Sequence, residues 1–251
     1  MVDAIAACRE AFSSYARRFS DYLTYSIVAS AASGIVSLAF VLALGVLGVL
    51  SAGSVGILST GASWESAGFG AAFIILVSGA IILYWIIAGV KGAYAESVVF
   101  FVSGRGQTFG GFFSAVPRRA TQFFAVGLIV ASVALIPLAL LYGAASMVGF
   151  SGMPIVSVAL LVVGVAYASV IFLLSIFALP ALVVDNRPPL QAIGTSVKLS
   201  SRNFMGVILY ALIICIASIP ALIPLLNIIY VPLFLMPFGE ASLICLYRHG
   251  R

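Results

Sequence analysis

Residues 120–184 read ATQFFAVGLIVASVALIPLALLYGAASMVGFSGMPIVSVALLVVGVAYASVIFLLSIFALPALVV, 65 positions without one charged side chain, closed off by Arg119 and Asp185. A membrane-crossing helix needs about 20 predominantly apolar residues. The run therefore holds two crossings and a turn, and the turn is marked by Gly149-Phe150-Ser151-Gly152-Met153-Pro154, a cluster of chain breakers. A second charge-free run of 43 residues lies between Asp21 and Glu65. The chain is 63% hydrophobic and 8% charged, far from the balance of a soluble domain. No polar stretch is long enough to bury a core of its own. Residues 1–251 are read as one membrane domain, all-α and polytopic.

The basic residues give the orientation. All twelve Lys and Arg side chains fall in four segments: Arg9, Arg17 and Arg18; Lys91, Arg105, Arg118 and Arg119; Arg187, Lys198 and Arg202; Arg248 and Arg251. The connections near 51–68, 143–154 and 220–227 contain none. This alternation is what the positive-inside rule produces in a chain that crosses repeatedly. Six transmembrane helices are expected at about 24–50, 69–90, 121–142, 155–179, 204–223 and 228–246. Both termini then lie in the cytoplasm, with the protein in the cell membrane. Trp64 is expected at the outer interface, and the first crossing is long enough to tilt. The net charge of +5 is assigned to anionic head groups rather than to nucleic acid, since each basic residue near a charged leaflet contributes about 1 kcal/mol.

The basic segments also carry a helical beat. Ile5, Cys8, Phe12, Tyr15, Phe19 and Tyr22 recur every three or four residues, opposite Arg9, Glu10, Ser13, Arg17 and Asp21. Leu190, Ile193, Val197 and Phe204 repeat the pattern beside Lys198 and Arg202. In the middle segment Phe109, Phe112, Phe113, Val116 and Phe123 form the apolar face, and Pro117 is expected to break or kink it. A helix apolar on one side and cationic on the other lies in the bilayer interface, or packs on the ends of the bundle. Aligning Tyr15-Ala16-Arg17-Arg18 with Val116-Pro117-Arg118-Arg119, and Tyr22 with Phe123 and Phe204, gives offsets of 101 and 81. The expectation is three parallel repeats, about 2–103, 104–186 and 187–248. In each, a cytoplasmic interfacial amphipathic helix precedes two crossings. Parallel repeats differ from the inverted repeats of many secondary transporters.

Glu240 and Glu96 fall at comparable places near the cytoplasmic ends of their helices, and Lys91 precedes Glu96 by about a turn and a half. A carboxylate at membrane depth costs about 2.5–3.5 kcal/mol to insert. Three readings stay open for Glu240, Glu96 and Lys91: an ion or proton site, a structural pairing with a cation, and placement at the interface. Arg17, Arg18, Arg118, Arg119, Lys198 and Arg202 are the candidate residues for lipid or partner contact. Ser26, Ser30 and Gly34, with Ala29, Ser33 and Ser37, form small-residue rows that allow close helix approach. Pro220, Pro224, Pro232 and Pro237 imply a kinked final hairpin. Cys8, Cys215 and Cys245 lack C-x-x-C spacing and are read as buried and reduced.

Enzymatic chemistry finds little support. The single histidine, His249, is two residues from the end, and no phosphate-binding glycine loop or hydroxyl–lysine pair falls in the crossings. No cofactor and no metal is expected.

The stretch Phe177-Ala178-Leu179-Pro180-Ala181-Leu182-Val183-Val184-Asp185-Asn186-Arg187-Pro188-Pro189-Leu190-Gln191-Ala192-Ile193-Gly194-Thr195-Ser196, with Asn203-Phe204 and Leu246-Tyr247-Arg248, resembles a broad group of prokaryotic six-span proteins. The group takes in archaeal membrane families without assigned function and the membrane domain attached to some bacterial glycerophosphodiester phosphodiesterases. The resemblance implies a membrane-embedded, non-catalytic domain and supplies no active-site residues. The expected function is packing, lipid contact or partner binding, including self-association, at the basic cytoplasmic face. The alternative is a small-solute or ion transporter using the acidic residues.

Overall fold

The computed structural model describes residues 3–57, 64–150 and 154–251, with side chains described for 3–39, 41–42, 77–147 and 154–251. The turn at 151–153, residues 58–63 of the first outer connection and the Trp64 side chain lie outside that description. Every regular element among the described residues is helical. In order they are α1 (Ala4–Arg17), α2 (Phe19–Ile57), α3 (Trp64–Val102), α4 (Phe109–Phe150), α5 (Pro154–Ser175), α6 (Ala178–Val184), α7 (Pro189–Arg202), α8 (Phe204–Ala217), α9 (Pro224–Tyr230) and α10 (Met236–Gly250). A 3-10 turn, Ile219–Leu222, follows α8, and a π-helical stretch, Val231–Leu235, joins α9 to α10. Five of the helical segments are long and apolar enough to cross a membrane, six if α7 and α8 count as one bent span. The architecture is all-α and polytopic, as the charge-free runs require.

Two junctions share one backbone conformation. α7 and α8 meet at 97° across Asn203, so α7 lies across the direction of the crossing that follows it. α8 with its 3-10 extension measures about 29 Å, the thickness of a hydrocarbon core. At the other junction α1 gives way to α2 at Arg18, which has nearly the backbone angles of Asn203.

The middle segment departs from expectation. No separate helix precedes the third crossing: α4 runs unbroken for 42 residues through Pro117 and Pro137. The reason lies in its neighbour. A Cβ at Gly89 would stand 2.7 Å from the Val116 carbonyl, and one at Gly92 would stand 2.6 Å from Arg119 Cβ. Contact this close on both sides of Pro117 holds that stretch of α4 alongside α3. Phe109 and Phe112 also pack on the Tyr25 ring. At about 63 Å, α4 is twice the thickness of the hydrocarbon core. Its first turns form one arm of a hairpin with α3.

Prolines shape the last crossing. Pro237 has no N–H for the Leu233 carbonyl one turn back, and the Tyr15 hydroxyl donates to that carbonyl at 2.5 Å. Ser26 Oγ donates likewise to Pro232 O at 2.5 Å. Ser30 lies 3.6 Å from Met236 Sδ, so Ser26 and Ser30 face the kinked helix, whereas Gly34 has no neighbour within 4 Å. Among the described residues, the first two members of the small-residue row make an intramolecular contact. The break between α5 and α6 is closed by Ser196, which accepts from Phe177 N at 2.9 Å and donates to Leu174 O at 2.8 Å. Cys245 is buried and Cys8 half-buried, but Cys215 is exposed on α8, contrary to the sequence expectation. Burial pushes the Cys8 thiol above its usual range, which keeps it protonated and unreactive.

Candidate functional site at the basic end of the bundle

Direct bonds draw the four basic segments to one end of the molecule. Arg18 donates to the Arg105 carbonyl at 2.8 Å and to the Gly104 carbonyl. Arg248 donates to Ser103 Oγ at 2.8 Å. His249 Nε2 lies 3.1 Å from a Glu10 carboxylate oxygen, and Arg251 lies 2.8 Å from Asp185. These contacts bring α1, the α3–α4 turn, the Asp185 turn and the C-terminal turn together.

The α3–α4 turn explains the glycines around Arg105. Arg105 N bonds Phe100 O at 2.8 Å, Gly104 N bonds Phe101 O at 3.0 Å, and Gly104 has φ +75°. This is a Schellman cap, in which a left-handed residue closes the helix end. The carbonyls just beyond it carry the negative end of the α3 dipole, and the Arg18 guanidinium meets them there. Gly104-Arg105-Gly106-Gln107 is thus a helix stop.

A second network joins three parts of the chain. Glu96 on α3 pairs with Arg118 at 2.5 Å and with Arg119 at 2.7 Å on α4. Arg119, 6% exposed, also donates to Gln122 and to Asn186 Oδ1, each at 2.9 Å. Asn186 takes φ +51° to present that oxygen, a conformation that Asn tolerates better than most residues. Asp185 beside it accepts from the Tyr247 hydroxyl at 2.7 Å and from Arg187 at 3.1 Å. Arg187 in turn reaches Thr195 on α7 at 2.5 Å.

The candidates from the sequence therefore separate. Arg17, Arg118, Lys198 and Arg202 are exposed. Arg18 and Arg119 are turned inward, capping α3 and holding Glu96, because each meets carbonyl or carboxylate oxygens there. Glu96, Glu240 and Lys91 are not joined by any hydrogen bond or ion pair among the described residues. Glu96 is committed to the two arginines, Lys91 is exposed, and Glu240 is half-buried on α10. The helices that carry Lys91 and Glu240, α3 and α10, are in contact. Gln122, Asn186, Ser196, Ser103 and Tyr247 were not legible as network members. Nothing marks a neutral polar residue as paired until its partner's position is known.

The two elbow helices present matched surfaces. α1 buries its small face, Ala4, Ala7 and Ala11, chiefly against α10. Ile5, Phe12 and Phe19 are left outside, 65%, 53% and 48% exposed. α7 buries Ala192, Ser196 and Ser200 and leaves Leu190, Val197 and Phe204 outside, 73%, 41% and 39% exposed. The apolar stripe read from the sequence is therefore divided. Its small neighbours, Tyr15 and Tyr22 face the bundle, while Ile5, Phe12 and Phe19 point away from it. Arg17 and Arg202 occupy the same last position of the two helices.

Comparison with known proteins adds no identity: no family model, no curated protein and no solved structure matches this chain. The six-span group named above is neither supported nor opposed by that result.

Proposed function

We propose that the chain is a non-catalytic, multi-pass protein of the cell membrane whose basic end faces the cytoplasm and binds anionic lipid head groups. The observation that carries this reading is the pair of elbows. Each sets three large exposed apolar residues seven positions apart beside exposed arginine or lysine. Large apolar side chains at such exposure are unfavourable in water and favourable among acyl chains, at about 25 cal/mol per Å² removed from water. Cations in the same helices then lie at head-group depth. A helix that packs on the bundle through alanine and serine while offering phenylalanine and leucine outward is suited to the interface.

We further infer that α1–α2 and α7–α8 are two copies of one unit. Both first helices have 14 residues. The register that superposes them pairs residues 185 apart: Arg17 with Arg202, Phe19 with Phe204, Tyr25 with Tyr210. It differs by three residues from the register read off the sequence, which set Tyr22 against Phe204. In the middle copy the elbow is replaced by the straight start of α4.

The lipid reading is tested by reconstitution into mixed bilayers. Anionic lipid should be enriched around the protein over phosphatidylcholine, and Arg17→Gln, Lys198→Gln and Arg202→Gln together should reduce that enrichment. Equal retention of neutral and anionic lipid would overturn it. The transport alternative keeps one specific observation. Glu240 has no ion pair among the described residues, and the fully buried Tyr94 hydroxyl, one turn beyond Lys91, has no hydrogen-bond partner. Glu96, the other acid of that reading, is ion-paired with Arg118 and Arg119. A liposome flux assay of wild type against Glu240→Gln separates the two, and the lipid reading expects no flux from either.

A further inference from the structure

Between the C-terminal end of α1 and the cap of α3 lies a cavity of about 350 Å³, lined by Ser14, Arg17, Arg18, Phe101, Ser103 and Gly104 among others. Two arginines line it, a third bonds to a lining residue and a fourth adjoins one in sequence. Arg17 and Arg18 form one wall. Arg248 is anchored at the rim by its bond to Ser103 Oγ. Arg105 follows Gly104 and is exposed. Opposite charge is scarce. Asp21 lies 3.4 Å from Arg18, and Glu10 is engaged with His249.

Donors remain to be used. Arg17 spends Nε on the Ser13 carbonyl at 3.2 Å, and its two terminal nitrogens have no acceptor among the described residues. Arg248 uses one terminal nitrogen on Ser103. The Ser14 hydroxyl lies 3.1 Å from the Tyr22 hydroxyl at the base of the cavity. Arg18 is fixed by the Gly104 and Arg105 carbonyls, and Asp21 at 3.4 Å is the acid paired with it, so the cluster keeps a net positive charge. Such a cluster is stabilised by an anion with several oxygens, and the planar fork of arginine matches phosphate.

We propose that this cavity is a binding site for a terminal phosphate, the phosphomonoester of an anionic lipid or a free phosphate ion. The volume admits a head group but not an acyl chain. The cavity lies beside the α1–α2 elbow, whose exposed Phe12 and Phe19 set the depth of the bilayer surface. Phosphatidic acid presents three terminal oxygens on its monoester, whereas a phosphodiester such as phosphatidylglycerol presents two. The assignment rests on the reading that the basic end faces anionic lipid, and sharpens it from a diffuse charge effect to one site.

The test uses the full chain in nanodiscs containing phosphatidylcholine with equal fractions of phosphatidic acid and phosphatidylglycerol, and counts the lipids retained by native mass spectrometry. Wild type should retain phosphatidic acid over phosphatidylglycerol by about tenfold, equivalent to about 1.4 kcal/mol. Arg17→Gln with Arg248→Gln should abolish the preference, while Lys198→Gln with Arg202→Gln should keep it. Should the double variant fail to give a monodisperse protein, Arg17→Gln alone carries the test, with a loss of severalfold. Displacement by millimolar inorganic phosphate would identify the ion as sufficient, and persistence would identify the lipid; either supports the site. Equal retention of the two anionic lipids, with pocket and elbow variants behaving alike, overturns the site and leaves the general reading standing. No enrichment of either over phosphatidylcholine overturns both.

Discussion

Arg18 and Asn203 hold the same backbone conformation, φ −124° and ψ 36° against φ −121° and ψ 35°. Each ends a helix of 14 residues and is followed at once by a phenylalanine that opens the next helix. Neither side chain dictates the bend, since one is a cation and the other an amide. What the two sites share is the next turn inward. Tyr25 and Tyr210, seven residues further on, both donate from the hydroxyl to a backbone carbonyl, Gln107 O at 2.6 Å and Gly239 O at 2.9 Å. The bend and the tyrosine together orient each helix across the start of its crossing.

Arg119 is the cation whose loss should cost most. Replacing it with alanine leaves the Glu96 carboxylate without its more buried partner and frees Asn186 from the contact its strained backbone serves. Removing one member of a buried ion pair costs about 3–5 kcal/mol. Lys198→Ala, on an exposed side chain, should stay within about 0.5 kcal/mol. Denaturant unfolding in detergent, followed by intrinsic fluorescence, compares the two directly. Equal stabilities would remove the Glu96 network from the account.

The α3–α4 contact predicts a glycine that tolerates nothing larger. A methyl at Gly92 would meet Arg119 Cβ at 2.6 Å and Phe123 at 2.9 Å. Gly92→Ala is therefore expected to destabilise by about 1–3 kcal/mol through overpacking. Gly194→Ala has open space within 4 Å in the middle of α7 and should stabilise by about 0.4–1 kcal/mol. Thermal melting of the two variants beside wild type should move in opposite directions.

Ser196 closes the α5–α6 break with a single hydroxyl. Ser196→Ala strips a donor from Leu174 O and an acceptor from Phe177 N, both in the buried junction. Each unsatisfied buried group costs about 1–3 kcal/mol. Hydrogen exchange at Phe177 should accelerate with the stability loss. Unchanged protection there would show the break to be held by other contacts.

Much of this was legible in the sequence. The 65-residue charge-free run and the one-sided arginines imply the number of crossings and the grouping of the basic segments. That follows because the membrane constrains composition residue by residue, with no need of tertiary partners. Pro117 misled: a proline in an amphipathic segment suggests a break, but Gly89 and Gly92 on another helix decide the outcome. The register proposed for the two elbows differs by three residues from the one that the aromatic pattern suggests, since that pattern does not tell the buried Tyr22 from the exposed Phe19 and Phe204. The alanines that set the packing are silent in a periodicity dominated by large residues. For the polar site, the Arg118-Arg119 pair was visible while its partner was ambiguous. Nothing in the sequence distinguishes the paired Glu96 from Glu240, which has no ion pair among the described residues.

Side-specific thiol labelling tests the shared basic end most directly. Ser114→Cys and Ser201→Cys, each in a background lacking Cys8, Cys215 and Cys245, place one exposed thiol beside Arg118 and one beside Arg202. Both should react with an impermeant maleimide in inverted membrane vesicles, and neither should react in intact cells. Reaction of the two from opposite sides would contradict the account.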